Sequence, residues 1–456
     1  MFIGREKELE YLSSYYQQSG IRMLVIYGQR GMGKTKLLQH FLEGKEHFYY
    51  EAVSCSTRQQ KMFMASYLKD IGMDISKNFS YQELFRNMLE TYETKKVLVI
   101  DEVQNMCKTD NEFFEELKMF FDSNEEKKDF FLVLCSSSIS WVENTMESKM
   151  GDLTRLLSEI YKIRELSYQN FKEYFPRFSD TDRVGAYSIL GGIPGLWKYF
   201  NDEYSLRENM EKFLLQNKEK LFDYGEQYVA EELRETAVYN TLLTALANGK
   251  EKLNDLYLYT GFSRAKISVY LKNLMQLELV EKVFSMDTEG RDQTQKGLYQ
   301  IKHPYVFFYY RYLFPNRFRI QELSSVEFYE KFIEPTFLNF VSGGFKRICR
   351  EFLEEESRAA RLPDFFVYKG QWVGKKGNID FIFENEDGEI LSGICNWEKE
   401  ILMPEDYQYF LECQKTAKIM SEYVILFSRG NFDKRLRDEV RKNPKLALVS
   451  ITQMLI

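Results

Sequence analysis

The sequence predicts an α/β protein of several domains, led by a parallel sheet built around a phosphate-binding loop. A helical lid, a winged helix-turn-helix and a second α/β domain are predicted to follow. Three observations carry this. The first is "RMLVIYGQRGMGKTKLLQHFL", an apolar strand that runs through a glycine-rich loop into an amphipathic helix. The second is "KKVLVIDEVQNM", a strand that ends on two acids. The third is the length of 456 residues, too long for one ordinary core and suited to about three domains.

In the first stretch, Met23 to Tyr27 form the strand, Gly28 to Gly33 the loop, and Lys34 opens the helix, with Leu37, Leu38, Phe41 and Leu42 on its inner side. The loop fits G-x-x-x-x-G-K-[ST] through Gly28, Gly33, Lys34 and Thr35, in the strand–loop–helix context of a P-loop NTPase. Glycines let the backbone amides curl around a β-phosphate, and the helix N-terminus adds partial positive charge. Gly31, Met32 and Lys36 complete the loop and the first helical turn. Lys34 is expected to reach the β- and γ-phosphates, and the Thr35 hydroxyl to ligate Mg²⁺.

Asp101, at the carboxyl end of the second strand, is placed to hold that Mg²⁺ through water. Glu102 is the natural general base for an attacking water, so the pair points to hydrolysis by Lys34, Asp101 and Glu102. A third strand, "DFFLVLCSSS", ends on Ser136 to Ser138. Either one of these hydroxyls senses the γ-phosphate, or the cluster caps the next helix. Arg30 and Arg155 are alternative sources of positive charge for the transition state.

Composition narrows the class. Hydrophobic content of 44%, aromatic content of 16% and only eight prolines describe packed globular material. A net charge of −7 supplies no global positive field toward nucleic acid or anionic lipid. Six scattered cysteines with no CxxC pair, and three histidines, argue against zinc and fit a reducing compartment. The opening "MFIGREKELE" puts charges where a signal peptide needs apolar residues, and no run reaches the length of a membrane span. The aromatic "YVFFYYRYLF" is short, carries Arg311 and reads as a buried helix. A cytoplasmic protein without a membrane partner is expected.

"FIGREKELEYL", "YGQRGMGKT", "VLVIDEVQ", "LCSSS" and "LGGIPGLWKYF" together resemble one family. In order and spacing they are similar to the archaeal-type, AAA-like ATPases of the STAND class of P-loop NTPases. The resemblance spans about the first 335 residues and continues more weakly beyond. It implies ATP as ligand, and makes Gly4 and Arg5 neighbours of the adenine or ribose. It also implies that the "GGIP" turn begins a helical lid, with Pro194 packing on or near the adenine. Read from the residues alone, Gly191 to Gly195 is a turn before an apolar helix.

The implied plan is a P-loop ATPase domain (1–165), a helical lid (166–230), a winged helix-turn-helix (231–302), aromatic connecting helices (303–335) and a C-terminal domain (336–456). In the third, an apolar helix leads to a short one opened by Asn254, a Gly261-Phe262 turn, a helix capped by Ser263 and the strand Leu279 to Phe284. Arg264, Lys266 and Lys272 could touch phosphates. The wing, with Asp287, Glu289 and Asp292 against Arg291 and Lys296, argues against tight DNA binding, and the resemblance implies an internal latch instead. His303 beside Pro304 reads as structural.

The last domain resembles a restriction-endonuclease-like fold. Active members bind metal through a first-helix acid, a strand aspartate and an E-x-K pair. Here Asp380 matches, but the other positions fall on Lys346, Ile394 and Asn396. Nuclease chemistry would then require Glu384 or Glu398 to have taken over a ligand role, leaving Cys395 and Trp397 as packing residues. The expected function is an ATP-driven regulatory switch acting on a protein partner. The alternative is an ATP-gated DNA-binding protein or nuclease.

Overall fold

The computed structural model describes residues 2–70, 72, 79–91, 96–107, 111–124, 129–216, 220–286, 297–374 and 377–455. They form two compact units: Met1–Leu166 with Ile193–Gly195, and Ser167–Gly192 with Leu196–Ile456.

The first unit is built on five strands: β1 (Ile21–Tyr27), β2 (His47–Glu51), β3 (Lys96–Asp101), β4 (Phe130–Ser136) and β5 (Leu157–Lys162). Their order is β2-β3-β4-β1-β5, and every pairing is parallel. Strands buried on both faces read as continuous apolar runs, as β1, β3 and β4 do. Met23, Val25, Leu132 and Leu134 share one core with Met64, Phe85 and Phe113 of the helices Thr57–Asp70, Tyr81–Thr91 and Glu112–Asn124. On the other face Phe131 meets Phe41 of the helix Lys34–Leu42, with ring centroids 6.0 Å apart. Strand β4 lies between the loop strand β1 and the acid strand β3, with Ser136 opposite Tyr27. The carboxyl ends of all three therefore emerge at one edge, where open parallel sheets place their ligands.

The second unit begins with helices, among them Tyr168–Tyr174 and Asp180–Leu190, each capped by a serine hydroxyl. Three further helices, Thr236–Ala247, Leu253–Thr260 and Arg264–Gln276, precede an antiparallel pair, β6 (Val280–Val283) and β7 (Leu298–Ile301). Ser263 caps the third of them, accepting from the Lys266 amide at 3.3 Å. Asn254 does not open the second. That helix starts at Leu253 with Lys252 at the cap position, and the Asn254 side chain instead accepts from Arg264 at 2.8 Å. The wing residues Asp287, Glu289, Arg291, Asp292 and Lys296 lie outside the described residues.

The aromatic stretch forms the helix Pro304–Phe308 and a π-turn, Tyr309–Leu313, with Tyr305, Tyr309, Tyr310 and Tyr312 buried. His303 is buried too, and its Nδ1 accepts from the Val306 amide at 3.3 Å, so it caps the helix. The long helix Glu334–Arg358 then packs against Asp180–Leu190. A Cβ on Gly344 would stand 2.9 Å from the Ser188 Cα and closer still to its hydroxyl, so only glycine permits this approach.

The C-terminal sheet contains β8 (Val367–Val373), β9 (Asn378–Glu384), β10 (Ile390–Asn396), β12 (Tyr423–Ser428) and β14 (Leu446–Ser450), in the order β14-β12-β10-β9-β8. The short strands β11 (Ile401–Leu402) and β13 (Asn431–Phe432) pair separately. Strands β8, β9 and β10 are antiparallel, whereas β10, β12 and β14 run parallel. Gly388, at φ +80°, makes the β9–β10 turn. Among the described residues no helix is long and apolar enough to cross a membrane.

Candidate nucleotide site

The loop after β1 is shaped by glycines in positions closed to other residues. Gly28, Gly31 and Gly33 have φ values of +154°, +86° and +84°. A Cβ on Gly28 would lie 2.5 Å from the Ile163 carbonyl oxygen, so the backbone passes close against the segment after β5. Lys34 is 5% exposed, and its ammonium donates to the carbonyls of Gly28 at 2.7 Å and Gln29 at 3.0 Å. The lysine thus lies within the curl of the loop. Met32 is buried, whereas Thr35 and Lys36 are exposed at the start of the helix.

Thr35 and Asp101 come together across 66 residues of chain: Thr35 Oγ1 donates to Asp101 Oδ2 at 2.8 Å. Asp101 is buried, and the phenol of Tyr49 donates to the same oxygen at 2.5 Å. The other oxygen, Oδ1, accepts from the Glu102 amide at 2.9 Å. Burial, then the neighbouring Asp101 charge, pushes the Tyr49 phenol far above its usual range and keeps it a donor. Burial also raises the Cys135 thiol, which lies beside Asp101.

Glu102 stands in the left-handed region at φ +54°, which turns the chain sharply after β3. Its Oε2 accepts from the Ser137 hydroxyl at 2.6 Å, the Ser137 amide at 3.2 Å and Gln104 Nε2 at 2.5 Å. Ser136 in turn donates to Gln104 Oε1 at 2.8 Å. Two of the three serines at the end of β4 therefore serve the acidic end of β3. Ser138 occupies the cap position of the helix Ile139–Trp141 and makes no side-chain cap bond there. Sequence reasoning missed Gln104 and Tyr49. Gln104 follows the acids by two residues, but Tyr49 gave no signal, because its partner lies on another strand.

Arg5 is buried, and its guanidinium donates to the carbonyls of Met32 at 2.9 Å and Arg164 at 2.8 Å and pairs with Glu8 at 2.7 Å. It braces the phosphate loop through the Met32 carbonyl, next to Gly4 at φ +67°. The segment Ile193–Gly195 groups with this unit although the residues on both sides of it do not. The Gly195 amide donates to the Gly31 carbonyl at 2.8 Å, and a Cβ on Gly33 would lie 3.4 Å from Pro194 Cγ. Pro194 thus rests on the loop itself. Arg30 is exposed, and Arg155 pairs with Asp122 at 2.7 Å on the surface.

In the C-terminal sheet Asp380 faces Lys346, with its Oδ1 3.0 Å from the ammonium, and its Oδ2 accepts from the Cys395 amide at 3.1 Å. Lys346 also donates to Gln371. Glu384 pairs with Lys369 at 3.5 Å, and Glu398 accepts from Asn339 at 3.4 Å. Trp397 is buried and packs on Phe345. Among the described residues no group of three or more His, Cys, Asp or Glu side chains is arranged to hold a metal ion.

Residues 2–200 match a family described as an ATPase domain predominantly from Archaea. Residues 309–416 match a family of archaeal and bacterial proteins of unknown function. A Methanocaldococcus jannaschii protein named as uncharacterized is 28% identical over 396 residues, 85% of each chain. A short ATP-binding protein of the same organism is 39% identical over 46 residues, 10% of this chain and 78% of its own. Among solved structures, a Walker-type ATPase of Pyrococcus abyssi aligns with a TM-score of 0.48 at 16% identity, covering 68% of this chain and 96% of its own.

Proposed function

We propose that this chain, whose residues 2–200 match an archaeal ATPase domain family, binds ATP with Mg²⁺, hydrolyses it and works as a nucleotide-driven switch. The observation that carries the reading is the joining of Thr35 to Asp101 at 2.8 Å beside the buried Lys34. One hydroxyl and one carboxylate suit Mg²⁺, which is usually held by one or two carboxylates together with substrate phosphates. Bound there, Mg²⁺ would neutralise charge on the β- and γ-phosphates. Lys34 would exchange its loop carbonyls for phosphate oxygens, and the loop amides would hold the β-phosphate. Glu102 would accept a proton from the attacking water, its carboxylate oriented by Ser137 and Gln104.

The switch reading is supported by Ile193–Gly195. Three residues share the packing of the phosphate loop, while the chain before and after them belongs to the other unit. A change in the loop on nucleotide exchange would be passed on through this segment, provided ATP and ADP differ in their contacts there. The winged-helix and C-terminal modules would present the result to a protein partner. The Lys346–Asp380 pair supports a binding role for the C-terminal domain, because a carboxylate already matched by a lysine is a poor metal ligand. Lys34→Ala is expected to lose nucleotide binding. In Glu102→Gln, amide hydrogen exchange over 190–200 should slow with ATP relative to ADP. Identical exchange in the two states would remove the switch.

A further inference from the structure

We propose that Tyr49 is a positioning residue for Asp101, holding in one orientation the carboxylate through which the site would engage Mg²⁺; this rests on the ATP reading above. The geometry follows from strand alternation. On β2, Phe48 and Tyr50 are buried in the core, so Tyr49 faces the opposite side. Parallel pairing sets Tyr49 across from Val99 and Glu51 across from Asp101. Asp101 is therefore one diagonal step from Tyr49 on the same face, a separation that a long aromatic side chain can span.

A carboxylate offers about four acceptor directions. Thr35 and Tyr49 occupy Oδ2 at 2.8 and 2.5 Å, the Glu102 amide occupies Oδ1 at 2.9 Å, and the Cys135 thiol also hydrogen-bonds to the carboxylate. Held in this way, the carboxylate would engage Mg²⁺ from one fixed orientation. Thr35 keeps its proton on Oδ2 while its own lone pairs stay available to a cation. Without the phenol, Oδ2 loses one of its two hydrogen-bond partners and the carboxylate one of its restraints. Tyr49 touches neither nucleotide nor metal in this scheme and acts only through Asp101.

The test is equilibrium binding of N-methylanthraniloyl-ATP, titrated with Mg²⁺, in a Glu102→Gln background with and without Tyr49→Phe. The half-saturating Mg²⁺ concentration is expected to rise about tenfold, the scale of losing a partner that orients a metal ligand. Affinity without Mg²⁺ is expected to be unchanged. Tyr50→Phe is the matched control, since it removes a phenol of the same strand that bonds to Gln60 at 2.7 Å on the core side. An unchanged Mg²⁺ midpoint in Tyr49→Phe overturns the proposal, and so does an equal shift in Tyr50→Phe. Failure of the ATP reading itself is seen separately, as parental binding of the analogue by Lys34→Ala.

Discussion

Glu102 shows how much of the chemistry rests on single contacts. Its carboxylate takes three hydrogen bonds, two of them from Ser137. Ser137→Ala removes the hydroxyl and leaves the amide, so kcat is expected to fall about fivefold, since one net hydrogen bond contributes ~1 kcal/mol. Affinity for ATP should stay at the parental value, as measured by equilibrium binding. Arg5 sits at the same scale but does something else. Its guanidinium satisfies the Met32 and Arg164 carbonyls in a buried position. Arg5→Ala should destabilise the fold by about 1–3 kcal/mol in urea unfolding. The spacing of glycines, lysine and threonine made the loop legible in the sequence, because phosphate binding demands those residue types in that order. Arg5 was legible only as a neighbour of the nucleotide. That it braces Met32 depends on how the chain folds back on itself, which no local pattern encodes.

Between elements, close approach decides. A Cβ on Gly195 would lie 2.7 Å from the Gly31 Cα and 2.9 Å from its carbonyl oxygen. Gly195→Ala must therefore push the segment Ile193–Gly195 off the loop, and nucleotide affinity is expected to drop with the unfolding midpoint little changed. Gly344→Ala should do the reverse. Its clash with Ser188 lies in the second unit, so it should lower stability by about 1–3 kcal/mol, as overpacking does, and spare nucleotide binding. The strands β1, β3 and β4 could be read from their apolar runs, since burial on both faces leaves no alternation to confuse. The place of β4 between β1 and β3 could not, and it is this that brings Ser137 to Glu102. The start of the helix Leu253–Thr260 was misjudged at Asn254, a good capping residue whose side chain Arg264 engages instead.

Across the whole molecule, the proposed function puts the chemistry in the first unit and leaves the second to supply surfaces. The Lys346–Asp380 contact was anticipated only as a mismatch of residue types; the structure makes it an ion pair at 3.0 Å. Nearby, burial raises the carboxyl of Glu251 above the ordinary range, partly opposed by the hydrogen bond from Gln300 and the charge of Lys346. A raised folded-state pKa means that the charged form costs stability. The cost is absent below the unfolded pKa, grows as pH rises and is complete above the folded pKa. Glu251→Gln should therefore raise the unfolding midpoint at neutral pH, with the gain vanishing in acid.

The decisive measurement is phosphate release from ATP, taken alongside ATP affinity for the parental and Glu102→Gln proteins. Equal affinity with release slowed at least about a hundredfold, the scale of a lost general base, is the predicted result. Release at the parental rate from Glu102→Gln would contradict it.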